Sequence, residues 1–251
     1  MEKLYTITKY LDELFDIRNV NDISWNGLQF EGSNKVVKIV FAVDAGIETF
    51  EKAADENADL LIVHHGLFWK YSDPSICGIN KSRTNILFTK KISLYACHLP
   101  LDIHSTVGNN IGLLKLLGAS WDSYTNNREK SILVSGFFNK SYTLCDIVEK
   151  LNTSLKTECI TLPFGKQKIK KIGVISGSCG YSDFSEAIRL NLDLLVTGEC
   201  VDVYHMVKDA GINVIFAGHH ATETVGMKLL MELMTNKFNI SAKFLDIPTC
   251  L

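Results

Sequence analysis

The sequence lacks long apolar runs, a charge excess of either sign and paired cysteine motifs. No apolar run approaches the roughly 20 residues that a membrane-spanning helix needs, and residues 1–10 lack the apolar core of a signal peptide. The seven cysteines are scattered and never form a Cys-x-x-Cys pair, so the pattern favours free thiols in the cytoplasm over a disulfide framework or a zinc ribbon. A net charge of -2 provides no global field that would attract nucleic acid or an acidic membrane.

What the sequence does have is the composition of a soluble globular protein, with 46% hydrophobic and 22% charged residues in 251. Short runs rich in β-branched residues alternate with segments of helical periodicity. This alternation predicts an α/β protein with a parallel or mixed sheet. In the first half, the predicted strands and helix are Val36–Val43, Ile47–Asn57 (the helix), Asp59–Val63 and Ile92–Cys97. A long polar loop with Pro74 and Gly78 is predicted after the third of these segments.

One internal repeat is visible, although any two strand-helix-strand units resemble each other to some degree. The segment from Lys38 to His65 matches the segment from Lys171 to Glu199, and in both an Asp-Leu-Leu triplet opens the second strand. In this alignment Glu199 takes the place of His65. We therefore predict two similar βαβ-based domains, the second inserted in the first. The predicted metal-binding domain is 1–125 plus 201–251, and the predicted inserted α/β domain is 126–200.

Ligand-type side chains follow three of the predicted strands. In open α/β sheets, sites form outside the carboxyl ends of the strands, so side chains at three strand ends are expected to converge. His219 and Glu223 stand four residues apart, and on a helix they share one face. These side chains are His64 and His65, Asp102, and His219 and Glu223.

The chemistry of this set predicts a dinuclear metal site. Three imidazoles and two carboxylates suit zinc, manganese, iron, cobalt or nickel. A catalytic zinc needs only three protein ligands, so five ligands indicate two divalent ions that share a carboxylate bridge. Asp102 and Glu223 are the candidate bridges, because a carboxylate has two oxygens and an imidazole has one available nitrogen.

Other titratable side chains are candidates for supporting roles. His98 and Glu199 are candidate catalytic residues that transfer a proton. His98 and His104 flank Asp102, and either one supports a carboxylate or is a polar loop residue. His205 either faces the site from the second domain or lies on a helix surface.

The motifs around these residues resemble the Nif-three-like dinuclear-metal proteins, also called GTP cyclohydrolase 1 type 2 homologues. The resemblance covers nearly the whole chain. It implies a dinuclear centre at the same five ligand positions, two similar α/β domains, and a toroidal homohexamer. The motifs are Asn26–Gln29, His64–Lys70, His98–Asp102, Gly108–Asn110, Thr197–Glu199 and Gly218–Glu223.

Two functions are expected to compete. The first is a metal-dependent hydrolase that acts on a small molecule, a nucleotide-like ring as the cyclohydrolase name suggests, or a phosphoester or amide. The second is a non-enzymatic metal-binding or interaction protein whose ring assembly is the function. Turnover of any member of a broad hydrolase panel distinguishes the two.

Overall fold

The computed structural model describes residues 1–124 and 131–249. It divides into two compact units, and the chain leaves the first unit, forms the second and returns. The first unit comprises Met1–Val107 and Met227–Ile247, and the second comprises Gly108–Gly226 and the C-terminal end. The predicted class, a two-domain α/β protein, is confirmed.

The division differs from the predicted boundaries. The sequence placed residues 108–125 and 201–226 in the first domain, whereas the structure places 108–226 in the second unit. The physical reason is burial, since Ile111, Leu114 and Ile215 belong to the hydrophobic core of the second unit. Polarity along the chain does not reveal which core a short helix joins. Residues 125–130, part of the polar stretch that suggested the boundary, lie outside the described residues.

The described strands are short, as in most α/β proteins. In chain order they are β1 (Glu2–Lys3), β2 (Gly27–Phe30), β3 (Lys35–Val36), β4 (Lys38–Asp44), β5 (Leu60–His65), β6 (Ser93–Ala96), β7 (Ser120–Tyr124), β8 (Val134–Tyr142), β9 (Ile160–Pro163), β10 (Ile169–Cys179), β11 (Leu194–Cys200), β12 (Asn213–Phe216) and β13 (Ser241–Phe244).

The helices alternate with these strands. They are α1 (Leu4–Phe15), α2 (Ile47–Asp55), α3 (Gly78–Lys90), α4 (Leu99–Asp102), α5 (Asn109–Leu117), α6 (Leu144–Leu155), α7 (Tyr181–Arg189), α8 (Tyr204–Ala210) and α9 (His219–Phe238). Within the described residues, no helix is long and apolar enough to cross a lipid bilayer.

The first unit is built on a five-stranded sheet in the order β13-β4-β5-β6-β2. Four of these strands are parallel, and β2 closes one edge in the antiparallel direction. Strands of parallel sheets are buried on both faces, which explains the continuous apolar runs. Ile39 and Phe41 pack into one core, and Val40 and Ala42 pack into the core on the opposite face.

The second unit is built on a six-stranded sheet in the order β7-β8-β10-β11-β12-β9. Its three central strands β10, β11 and β12 are parallel, and the flanking strands are antiparallel. Cores lie on both faces, with Val174 and Val196 in one and Ile175 and Leu195 in the other.

The internal repeat is confirmed by matching hydrogen bonds. The carboxylate of Asp59 accepts the backbone N–H groups of Val37 and Lys38 at 2.7 and 3.0 Å. That of Asp193 accepts the N–H groups of Lys170 and Lys171 at 3.0 and 2.9 Å. In both units the aspartate therefore fixes the start of one strand against its neighbour.

The register of the two sheets also places Glu199 where the repeat predicts it. His65 lies opposite Asp44 at the end of the β4–β5 pair. Glu199 lies opposite Ser178, one pair before the end of the β10–β11 ladder and after a bulge in β10. The second unit thus carries a carboxylate at the strand end where the first carries an imidazole.

Two segments differ from the sequence prediction. The predicted polar loop contains α3. Only two side chains of this helix are buried, Thr84 and Leu87, so its sequence shows no apolar pattern of helical period. The segment Trp25–Gln29, predicted to be irregular, contributes to the edge strand β2, which pairs with β6. Pairing between distant segments, rather than local propensity, forms this strand.

Candidate metal centre

His64 is the buried member of the histidine pair that ends β5, with no exposed surface. Its Nδ1–H donates a hydrogen bond of 2.9 Å to the carbonyl oxygen of Cys97. Because a carbonyl can only accept, this bond fixes the tautomer and leaves the Nε2 lone pair as the metal-binding atom. Nε2 lies 3.5 Å from Oδ2 of Asp102, which is also buried. Two predicted ligands therefore face each other.

His65 is oriented by the neighbouring strand. Its Nδ1–H donates to Oδ1 of Asp44 at 2.8 Å, and Asp44 is its partner in the sheet register. A carboxylate on the distal nitrogen holds the ring and raises the basicity of Nε2, the arrangement that metal-binding histidines usually have. The sequence patterns did not identify Asp44 as a partner of His65, although its position at the end of the adjacent strand could have indicated it.

His98 follows β6 and begins the short helix α4. Its Nδ1–H donates to Oδ1 of Asp22 at 2.9 Å, and its backbone N–H donates to Oδ1 of Asn26 at 2.7 Å. The Asp22 carboxylate also accepts the backbone N–H groups of Leu99 and Ser24. Burial raises the pKa of Asp22, but the hydrogen bonds from His98 and Asn26 outweigh it and lower that pKa to about 2.

These three imidazoles form one cluster in the first unit. Nitrogen atoms of His64, His65 and His98 all lie within 4.8 Å of one another. The ring centroids of His64 and His65 are 4.7 Å apart, and those of His64 and His98 are 5.0 Å apart. His64 and His65, together with Asp102, offer donors of the kind that bind a borderline divalent metal ion. The sequence did not include His98 among the ligands, and the structure brings it beside them.

The second unit presents a histidine between two carboxylates. His219 Nδ1–H donates to Oε1 of Glu199 at 2.7 Å, and Nε2 lies 3.1 Å from Oε1 of Glu223. Glu223 is almost fully buried, one turn after His219 in α9. Ligands on a tetrahedral ion with bonds of about 2.0–2.2 Å lie about 3.3–3.6 Å apart. The separation of Nε2 and Oε1 is a few tenths of an ångström shorter than that value, and both atoms are of the types that bind a metal ion.

Two glycines leave room for this arrangement. Gly177 has a φ of +63°, and a side chain there would overlap the Glu223 carboxylate. A Cβ on Gly198 would lie 2.7 Å from the Cα of His219. The close approach of the backbone to His219 and Glu223 therefore depends on glycine at positions 177 and 198.

The remaining candidate histidines have structural contacts. His104 Nδ1 accepts the backbone N–H groups of Thr106 and Val107, and its ring packs edge-on against Phe15 at 5.3 Å. Burial lowers the pKa of His104, which favours the neutral ring. His205 lies in α8 with its ring 5.3 Å from that of Tyr204. His104 thus stabilises a loop.

The fold and these clusters define a class, that of two-unit α/β proteins with clustered histidine and carboxylate side chains that could hold a metal ion. The chain belongs to the Duf34/NIF3 (NGG1p interacting factor 3) family, whose model matches residues 2–249. The resemblance drawn from the sequence motifs is therefore confirmed.

Three relatives illustrate the match. A protein named GTP cyclohydrolase 1 type 2 homolog from Archaeoglobus fulgidus is 41% identical over 250 residues, which cover 99% of both chains. The solved structure of TTHA1606 from Thermus thermophilus is 35% identical, with a TM-score of 0.89 over 100% of both chains. That of protein ybgI, described as of unknown function, is 30% identical, with a TM-score of 0.92 over 100% of both chains.

Proposed function

We propose that this protein binds two divalent metal ions per chain and is a metal-dependent hydrolase that acts on a nucleotide-like small molecule. The proposed ligands are His64, His65, Asp102, His219 and Glu223. The metal is zinc, manganese, iron, cobalt or nickel, on the basis of the ligand types. The name of the Archaeoglobus relative supports a nucleotide as the first substrate to test.

The observation that carries the proposal is the common orientation of the imidazoles. Nδ1 of His64 donates to a backbone carbonyl, and Nδ1 of His65 and of His219 donates to a carboxylate. In all three rings Nδ1 is therefore engaged, and Nε2 is the nitrogen left to bind a metal ion. Metal-binding histidines usually donate their other ring N–H to a carboxylate or a carbonyl oxygen, and each of these rings has that arrangement.

Divalent ions in such a site act as Lewis acids that polarise a carbonyl or phosphoryl oxygen and favour the ionisation of water. The chain itself supplies His98, whose Nδ1 is held by Asp22, as the candidate group that transfers a proton at Nε2. Glu199 was proposed for the same task from the sequence, but its hydrogen bond to His219 favours a positioning role.

The test is a hydrolase panel with metal-loaded protein, and GTP ring opening is the first assay. We expect turnover of a nucleotide, phosphoester or amide substrate, loss of turnover in Asp102→Ala, and loss of turnover with retained metal in His98→Gln. If no substrate reacts with any of the five metals, the alternative of a non-enzymatic metal-binding or interaction protein replaces the hydrolase. A His98→Gln variant with full activity would exclude His98 from proton transfer.

A further inference from the structure

A cavity of about 370 Å³ opens beside His65 in the first unit. Its size falls within the range of small-molecule sites, about 300–1,000 Å³. Its wall combines a guanidinium, an indole, carboxylates and amide groups, and the side chains that matter here are Arg83, Trp69, Asp44 and Asp73. The proposed metal ligands do not account for these groups, apart from the bond between Asp44 and His65.

Arg83 is a half-buried cation without a carboxylate partner among the described residues. Its Nε is buried and has no hydrogen-bond partner in that part of the chain. Arginine remains charged at all ordinary pH values, and a buried N–H donor without a partner is unfavourable. The side chain projects from α3, the helix that the sequence did not reveal. Such a group is stabilised when an anion enters the cavity.

The carboxylates of the same wall are already engaged. Asp44 accepts the Nδ1–H of His65 at 2.8 Å. Asp73 accepts the backbone N–H of Ser75 at 2.9 Å, and the hydrogen bonds to Ser75 lower its pKa. Neither forms an ion pair with Arg83 in the described part of the chain. Among the described residues that line the cavity, Arg83 thus offers a positive charge to an anion.

Trp69 provides a flat wall that is fixed in orientation. Its Nε1–H donates to the carbonyl oxygen of Gly66 at 3.1 Å, and its backbone N–H donates to Oγ of Ser72 at 3.1 Å. Its ring lies 5.1 Å from that of His98 in an edge-on arrangement and 5.9 Å from that of His65. An indole held this way offers a stacking surface to a planar ligand.

We propose that this cavity recognises a planar anion, with Trp69 stacked on the ring and Arg83 paired with its phosphate or carboxylate group. The inference rests on the proposed function, because it names the substrate class of the same site. A guanidinium donates two parallel hydrogen bonds to either anion, so the two share one recognition chemistry. The proximity of the cavity to His65 places such an anion next to the proposed metal ligands.

The test is to titrate the wild-type protein and the variants with three probes. Tryptophan fluorescence and calorimetry measure the binding of each probe. The probes are guanosine 5'-monophosphate, orotate as a planar carboxylate, and neutral guanosine. We expect one of the anions to bind at least about 10-fold more tightly than guanosine, and Arg83→Gln to weaken it by about 10- to 100-fold. The stronger anion identifies phosphate or carboxylate as the group recognised. Trp69→Ala should weaken both the anion and guanosine.

Arg18→Gln is the matched control, because Arg18 is exposed, belongs to the same unit and lies outside this cavity. Equal binding of the anions and guanosine would overturn the proposal, and so would an Arg83→Gln effect no larger than that of Arg18→Gln. Metal content measured on the same samples separates this failure from failure of the proposed function. If Arg83→Gln has the metal content of the wild type and an unchanged anion affinity, the inference is rejected and the proposed function is not. If the wild-type protein binds no metal, the proposed function is rejected.

Discussion

Replacement of Asp44 by asparagine tests how far the orientation of His65 determines metal affinity. The carboxylate accepts the Nδ1–H of His65 at 2.8 Å and belongs to the neighbouring strand. Asparagine has nearly the same shape and can still accept this hydrogen bond, but it lacks the negative charge that makes Nε2 more basic. The backbone should therefore stay in place while the ligand becomes weaker.

The size of the expected loss of zinc affinity depends on how far Asp44 and His65 are exposed to solvent. Removal of a carboxylate that supports a metal-binding histidine typically lowers metal affinity by about 10- to 100-fold. The Asp44 side chain is 40% exposed, so water screens part of its charge. We therefore expect the lower end, about 10-fold in Kd for zinc, or about 1.4 kcal/mol.

The assay is competition for zinc between metal-free protein and a chromophoric chelator. Asp73→Asn is the matched control, because Asp73 lines the same cavity and contacts Ser75 rather than a histidine. We expect Asp73→Asn to change the Kd by less than about twofold. Equal zinc affinity in wild type and Asp44→Asn, or equal losses in both variants, would refute the argument that Asp44 tunes a metal ligand.

Further outcomes follow from the second unit and from the assembly. Gly198→Ala should destabilise the fold by about 1–3 kcal/mol in urea unfolding, because its Cβ would lie 2.7 Å from the Cα of His219; a stability equal to wild type contradicts this packing. Burial raises the pKa of Asp193 in the folded protein, but hydrogen bonds from Lys166, Lys171 and Lys170 outweigh it, so that this pKa is lowered. A depressed folded pKa contributes stability above the unfolded value of about 3.9 and loses it as the pH falls through the folded pKa. The stability difference between wild type and Asp193→Asn should thus be full at pH 7 and shrink below about pH 4; a constant difference argues against a charge effect. Light scattering of metal-loaded protein should give a homohexamer, the toroid expected from the family resemblance, and a monomer at micromolar concentration would exclude it.

The sequence predicted the elements whose apolar pattern is continuous. The parallel strands β4 and β5 are buried on both faces, and their β-branched runs ended close to the predicted residues. The histidines at the ends of such strands were identifiable for the same reason. By contrast, α3 has few buried positions, so no periodic signal marks it.

The supporting carboxylates were harder to predict, because they act through contacts between distant segments. Asp22 reaches His98 across 76 residues of sequence, from a segment without regular periodicity. Glu199 was identified through the internal repeat and a family motif, and no local pattern indicated that its partner would be His219. Hydrogen-bond partners of this kind depend on the packed fold and are not encoded by local spacing.

The most direct test of the central claim is the metal content of purified, fully loaded protein. Elemental analysis should give two divalent ions per chain in the wild type. It should give near zero in Asp102→Ala or Glu223→Ala, whichever carboxylate bridges the ions, because two dications about 3.5–4 Å apart repel strongly without that charge between them. His64→Ala should retain more metal than that variant. A single ion in the fully loaded wild type, or undiminished metal in both carboxylate variants, contradicts the dinuclear centre.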